Sequence, residues 1–272
     1  LNDTRRSRRY MQGAAALFML VIGARHLMPD SNSTAGGFDA FCPFGAVESA
    51  WSFLTTGEML RTTNALNITM FVAVIAVSVF AGRAFCGWMC PMGALQDGSA
   101  WLASRITGGK GRKKGFLPLR VPEKLDKFLR YFKYLLLIWI ILESVNAVYP
   151  PVHEFCPVRA TYGFAWYSPL LVLVFIGFIG SSMLVERFSC KYICPLGAIL
   201  GIFNRIAPLR PIVNKGSCVD CGNCTRHCPM GIPDVPDQLN SAECTRCLEC
   251  LESCGRKNTM LLWLGKTKSV EQ

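Results

Sequence analysis

Eight cysteines crowd into the 37 residues from Cys218 to Cys254, in two runs of one pattern. The first is Cys218-x2-Cys221-x2-Cys224-x3-Cys228-Pro229, and the second is Cys244-x2-Cys247-x2-Cys250-x3-Cys254-Gly255. Thiolates are soft ligands, and three of them at this spacing can converge on one iron–sulfur cube from a single loop. In the bacterial two-[4Fe–4S] arrangement, the fourth cysteine of each run serves the other cluster. On that pattern cluster one takes Cys218, Cys221, Cys224 and Cys254, and cluster two takes Cys244, Cys247, Cys250 and Cys228. The crossed ligand sews the halves together, so a small α+β domain can fold around its metal. Gly255 stands where the pattern expects proline, which alters a turn without removing a ligand. Zinc also uses CxxC pairs, but two complete four-cysteine runs speak against it. Disulfides do not suit a domain facing a reducing cytoplasm.

The other six cysteines form a repeat. Phe41-Cys42-Pro43 is followed by Cys86-Gly87-Trp88-Met89-Cys90-Pro91, and Phe155-Cys156-Pro157 by Cys190-Lys191-Tyr192-Ile193-Cys194-Pro195. The CxxxCP elements lie 104 residues apart and the Cys-Pro elements 114. Two units of one orientation imply a pseudo-twofold axis, as in parallel-repeat membrane proteins. Each Cys-Pro also reads as a helix start, with proline at the first helical position and cysteine at the N-cap. The positive end of the helix favours a thiolate there, which is the form that binds metal. Cys86, Cys90, Cys190 and Cys194 are enough for one shared [4Fe–4S] cluster. Alternatively each pair holds its own cluster, with Cys42 or Cys156 as a third ligand.

The elements that must position these groups are apolar. Of 272 residues, 51% are hydrophobic and 17% charged, too oily for an ordinary soluble domain. Four stretches lack charge or nearly so: Met11–Ala24, Thr62–Gly82, Tyr134–Tyr149 and Ala160–Val185. About 20 such residues span a bilayer. The expected fold is therefore an all-α integral membrane domain of four transmembrane helices in two pseudo-symmetric repeats, followed by the ferredoxin domain. The expected limits are 1–210 for the membrane domain (repeats about 11–105 and 130–205), 211–262 for the ferredoxin domain and 263–272 for a tail. Basic residues cluster before the first stretch (Arg5, Arg6, Arg8, Arg9), between the second and third, where there are eleven from Arg83 to Lys133, and after the fourth. By the positive-inside rule both termini and the ferredoxin domain are cytoplasmic, in a prokaryotic inner membrane. The net charge of +11 is then a topology signal with anionic lipid as its contact. Nucleic acid is a poor reading, since no groove-binding motif accompanies the charge. The first stretch reads as retained, because Arg25-His26 stands where a signal peptide would place small residues.

With CGWMCPMGAL and CKYICPLGAI ahead of a ferredoxin tail, the chain resembles the NapH/NosR-type membrane polyferredoxins. The resemblance implies an electron-transfer subunit of a respiratory complex. It would pass electrons between the quinone pool and a partner oxidoreductase through iron–sulfur clusters. At the expected outer face, His26 or His153 is a candidate for quinone contact and proton exchange, helped by Asp30 or Glu154. Glu143, within the third stretch, either relays a proton or pairs with Arg25. Two rival readings stay open: a metal reductase or maturation protein similar to the CcoG type, and an anchor whose inner cysteines bind nothing. The chain holds no P-loop, no dinucleotide fingerprint and no HExxH.

Overall fold

A computed structural model of the chain describes residues 2–26, 65–107, 119, 121–146, 157–162, 169–256 and 259–264. The N-terminal part is helical: α1 (Asn2–His26), α2 (Ala65–Ala81), α3 (Ala84–Trp88), α4 (Pro91–Ile106), α5 (Glu123–Asn146), α6 (Pro157–Tyr162), α7 (Pro169–Leu184), a π-helical turn Ser189–Ile193, and α8 (Pro195–Phe203). Helix α1 packs on α4, α4 on α7, and α5 on both the π turn and α8. Helices α4 and α8 each begin at the proline of a CxxxCP element. Cys90 (φ −66°, ψ 117°) and Cys194 (φ −69°, ψ 112°) are their extended N-caps, as the pre-proline position demands.

The cysteine-rich part is bracketed by strands β1 (Leu209–Val213) and β2 (Met260–Leu264), paired antiparallel with Leu209 opposite Leu264 and Val213 opposite Met260. Between them lie a 3-10 turn (Lys215–Ser217) and two short helices, α9 (Asn223–Arg226) and α10 (Glu249–Ser253). Its core is Met230, Ile232, Val235, Leu239 and Met260, with five of the cysteines packed against it.

The structure corrects the expectation of four transmembrane helices. Among the described residues no helix is long and apolar enough to cross a membrane. The two apolar helices, α2 and α7, have 17 and 16 residues. At 1.5 Å per residue they reach roughly 24–26 Å against a hydrocarbon core of about 30 Å. The two long helices, α1 and α5, have 25 and 24 residues but carry charge through their first halves. Among the described residues, the apolar runs hold less unbroken helix than their length suggested. The basic residues also do not form a solvated flank throughout: Arg8, Arg83, Lys133, Arg187 and Lys191 are buried. Arg8, Arg83 and Lys133 hold the helical part to the cysteine-rich part through ion pairs with Glu249 and Glu243, while Arg187 and Lys191 pair with Asp97 and Asp126 within the helical part.

Candidate metal centres

The two cysteine runs adopt matching backbones. Asp220 and Gly222 have positive φ (46° and 65°), and so do Arg246 and Leu248 (48° and 57°), 26 residues on. Left-handed residues alternating with right-handed ones turn successive N–H groups toward a common concavity, a shape that suits anionic groups and iron–sulfur sites. Three of the four are not glycine, which marks local strain held for a purpose. No signal in Leu248 or Arg246 announces this, because neither residue type favours the conformation.

Cys218, Cys221, Cys224 and Cys254 line one cavity, together with Val213, Pro236 and Met260. Cys228, Cys244, Cys247 and Cys250 line a second, walled by Pro229, Met230, Ile232 and Val235. The fourth cysteine of each run thus lies at the cavity of the other run. Cys221 is exposed, so the first cavity lies toward solvent. Among the described residues no three His, Cys, Asp or Glu side chains close round a single ion. The two sets frame cavities instead.

The CxxxCP cysteines form a third set. Cys86 and Cys190 are buried. Burial pushes the Cys90 thiol well above its ordinary range, and Cys190, Cys86 and Cys194 push it further. Burial, with Cys190 and Cys86, lifts Cys194 to about 12. Burial raises Cys190 too, aided by Cys86 and opposed by Arg187, Arg83 and a hydrogen bond from the Gln96 amide at 3.4 Å. In the second cavity burial, Cys247 and Cys228 bring Cys244 to about 12. Burial, Cys247, Cys244 and Cys228 raise Cys250. Thiols that oppose one another's ionisation in this way become thiolates together only against a multiply charged cation. Four-thiol sets that are buried or half-buried fit [4Fe–4S] centres by their chemistry.

The third set touches the second. A Cβ on Gly87, between Cys86 and Cys90, would lie 2.4 Å from the Thr245 carbonyl oxygen, so only glycine admits the Cys244–Cys247 loop there. The Trp88 indole N–H donates to the Arg246 carbonyl at 3.0 Å, and Arg187 Nη1 donates to Thr245 Oγ1 at 3.2 Å. Sequence reasoning missed Arg83 and Arg187, although both stand three residues before the first cysteine of a CxxxCP element. Cys42, Cys156 and His153 lie outside the described residues, as do the side chains of His26, which closes α1, and Glu143, in the last turn of α5.

A 4Fe-4S binding domain model matches residues 63–110 and again 167–214, and a 4Fe-4S dicluster domain model matches 210–255. An uncharacterized protein of Methanocaldococcus jannaschii is 31% identical over 84% of this chain and 89% of its own length. YccM of Escherichia coli (strain K12), provisionally named as an electron transport protein, is 30% identical over 85% of this chain, which spans 65% of YccM. The ferredoxin-type protein NapH of Haemophilus influenzae is 26% identical over 68% of this chain and 64% of its own length. No solved structure matches the chain. With two CxxxCP elements in one repeated family match and a dicluster match behind them, the chain belongs to the NapH/NosR-type polyferredoxins, iron–sulfur proteins of electron transfer.

Proposed function

We propose that the chain is an electron conductor with three four-cysteine stations in series. The stations are Cys86, Cys90, Cys190 and Cys194 in the helical part, then Cys228, Cys244, Cys247 and Cys250, then Cys218, Cys221, Cys224 and Cys254. A [4Fe–4S] cluster at each would supply a site that takes and gives one electron at a time. The carrying observation is the contact between the first two stations through Gly87, Trp88 and Arg187. The chain's own part is to hold the thiols at fixed separations, keep the first two stations buried or half-buried and leave the third near solvent at Cys221.

The proposed donor or acceptor at the helical end is a quinone, with His26, His153 and Glu143 as its proton partners. At the solvent end it is another subunit of a respiratory oxidoreductase. Supporting a lipid setting, the large apolar side chains of Phe80, Phe128, Tyr131, Leu173 and Ile206 are all exposed. Exposed Arg6 and Arg9 on α1 stand beside exposed Tyr10, a pairing that suits anionic headgroups. The reading is a protein held at the cytoplasmic side of a membrane.

Iron and sulfide analysis of anaerobically purified protein tests the station count. The expected result is about twelve irons per chain, falling to about eight in Cys90→Ala/Cys194→Ala. About eight in the parent chain would refute the helical station. Flotation with anionic vesicles tests the lipid contact, and failure to float would refute it. Loss of quinol-driven cluster reduction in His153→Ala, with iron content unchanged, is the expected sign of the quinone site; full reduction would remove His153 from it.

A further inference from the structure

Arg83 and Arg187 are wholly buried, and they are related by the same 104-residue repeat as the cysteines they precede. Each reaches into the opposite repeat. Arg83 Nη2 donates to the Cys190 carbonyl at 2.7 Å, and Arg187 Nη1 donates to the Cys86 carbonyl at 3.5 Å. Space is kept for them: a Cβ on Gly197 would stand 2.5 Å from Arg83 Nη2. Arg187 holds its place at a φ of 53°, a conformation that a long side chain rarely adopts. Both also touch the loop of the second station, Arg83 at the Ala242 carbonyl (3.1 Å) and Arg187 at Thr245 Oγ1 (3.2 Å).

Their carboxylate partners do not cancel them one for one. Glu243 serves Arg83 (3.2 Å), Arg130 (3.5 Å) and Lys133, while Asp97 serves Arg187 (2.8 Å) and Arg8 (2.7 Å). Glu249, within 3.2 Å of Arg8, is shared in turn with Arg5. The guanidinium charges therefore stand buried against the Cys86/Cys90/Cys190/Cys194 site, where charge is screened less than in water.

We infer that Arg83 and Arg187 set the reduction potential of the helical iron–sulfur site, holding two positive charges where an added electron must settle. This rests on the reading of Cys86, Cys90, Cys190 and Cys194 as a cluster site. A positive charge stabilises the reduced, more negative form, so the pair raises the potential of this site relative to the solvent-side station. A weaker donor then suffices to reduce the helical site, and onward transfer to a station of lower potential is held back until an acceptor at the far end draws the electron on. A purely structural clamp predicts something else: loss of stability with the potential unmoved.

The test is an anaerobic redox titration of the intact chain, followed by electron paramagnetic resonance, with iron content measured in parallel. Arg187→Gln and Arg83→Gln are expected to lower the midpoint of the helical site by at least tenfold in its reduced-to-oxidised ratio, about 59 mV for one electron. The solvent-side station should stay in place. Arg187→Lys should recover most of the shift. Asp97→Asn removes the countercharge and leaves Arg187 in place, so its expected shift has the opposite sign. If the glutamine variants fail to load iron, Asp97→Asn carries the decision by itself. A midpoint unmoved in Asp97→Asn, or in loaded Arg→Gln variants, would overturn the inference. Retention of all the iron and of the helical signal in Cys90→Ala/Cys194→Ala would overturn the underlying reading instead.

Discussion

Glu243→Gln offers the most direct measure of what joins the helical and cysteine-rich parts. Glu243 Oε2 lies 3.2 Å from Arg83 and 3.5 Å from Arg130, and Oε1 accepts a hydrogen bond from Lys133 Nζ. Arg83 and Lys133 are both wholly buried. Burial alone would raise the Glu243 carboxyl, but Arg83, Lys133 and Arg130 outweigh it and hold it below its ordinary range. Glutamine keeps the shape and deletes the charge, leaving three cations without their shared anion. Removing one member of a buried ion pair costs about 3–5 kcal/mol. At about 2–4 °C per kcal/mol, the unfolding midpoint should fall by roughly 6–20 °C. The loss has a pH signature. Burial, with Arg83 beside it, already lowers Lys133 from 10.5 to about 8 against the pull of Glu243. Without Glu243 it falls further, and the variant sheds the lysine proton at a lower pH than the parent. Because the folded variant then binds fewer protons than the folded parent, its deficit shrinks as pH rises. Thermal unfolding of the iron-loaded chain, followed anaerobically by iron–sulfur absorbance at about pH 6 and about pH 9, measures both effects. A midpoint change below about 2 °C at the lower pH would refute the reasoning. So would a deficit that fails to narrow at the higher pH.

Other predictions rest on separate features. Cys254→Ala should disturb the centre of Cys218, Cys221 and Cys224, and Cys228→Ala that of Cys244, Cys247 and Cys250; spectra showing each loss within the mutated run itself would overturn the crossed arrangement. Gly87→Ala drives a methyl against the Thr245 carbonyl, so electron exchange between the helical and second stations should slow by tenfold or more while iron content holds. Stopped-flow traces identical to the parent would contradict that. Lys133→Met should abolish a rise in parent stability between about pH 8 and 10.5, the window in which the unfolded lysine is protonated and the folded one is not. Parallel stability curves for the two proteins across that window would count against it. Because Cys221 is exposed and its cavity faces solvent, oxygen or a chelator should strip the Cys218 station first, seen as loss of its resonance signal before the others.

The spacing of the cysteines carried most of the site, because ligand reach in a short loop is a local property. Three cysteines at intervals of three residues converge whatever surrounds them. A proline after Cys90 or Cys194 starts a helix through its own ring, so that both N-caps could be read from the chain. The crossing of Cys254 and Cys228 is an expectation from the pattern; in the fold each lines the cavity of the other run.

Tertiary structure decided what local chemistry does not contain. Apolar runs at Thr62–Gly82 and Ala160–Val185 suggested spans, yet among the described residues α2 and α7 are too short, α2 ending in the turn at Gly82 and α7 in the turn after Leu184. Arg83, Lys133 and Arg187 looked like flanking basic residues and proved to be interior charges. Their carboxylates stand 160, 110 and 90 residues away in the chain, and no window of sequence shows such a pairing. A buried charge is tolerated only once its partners are brought to it, so its place is a property of the folded chain as a whole.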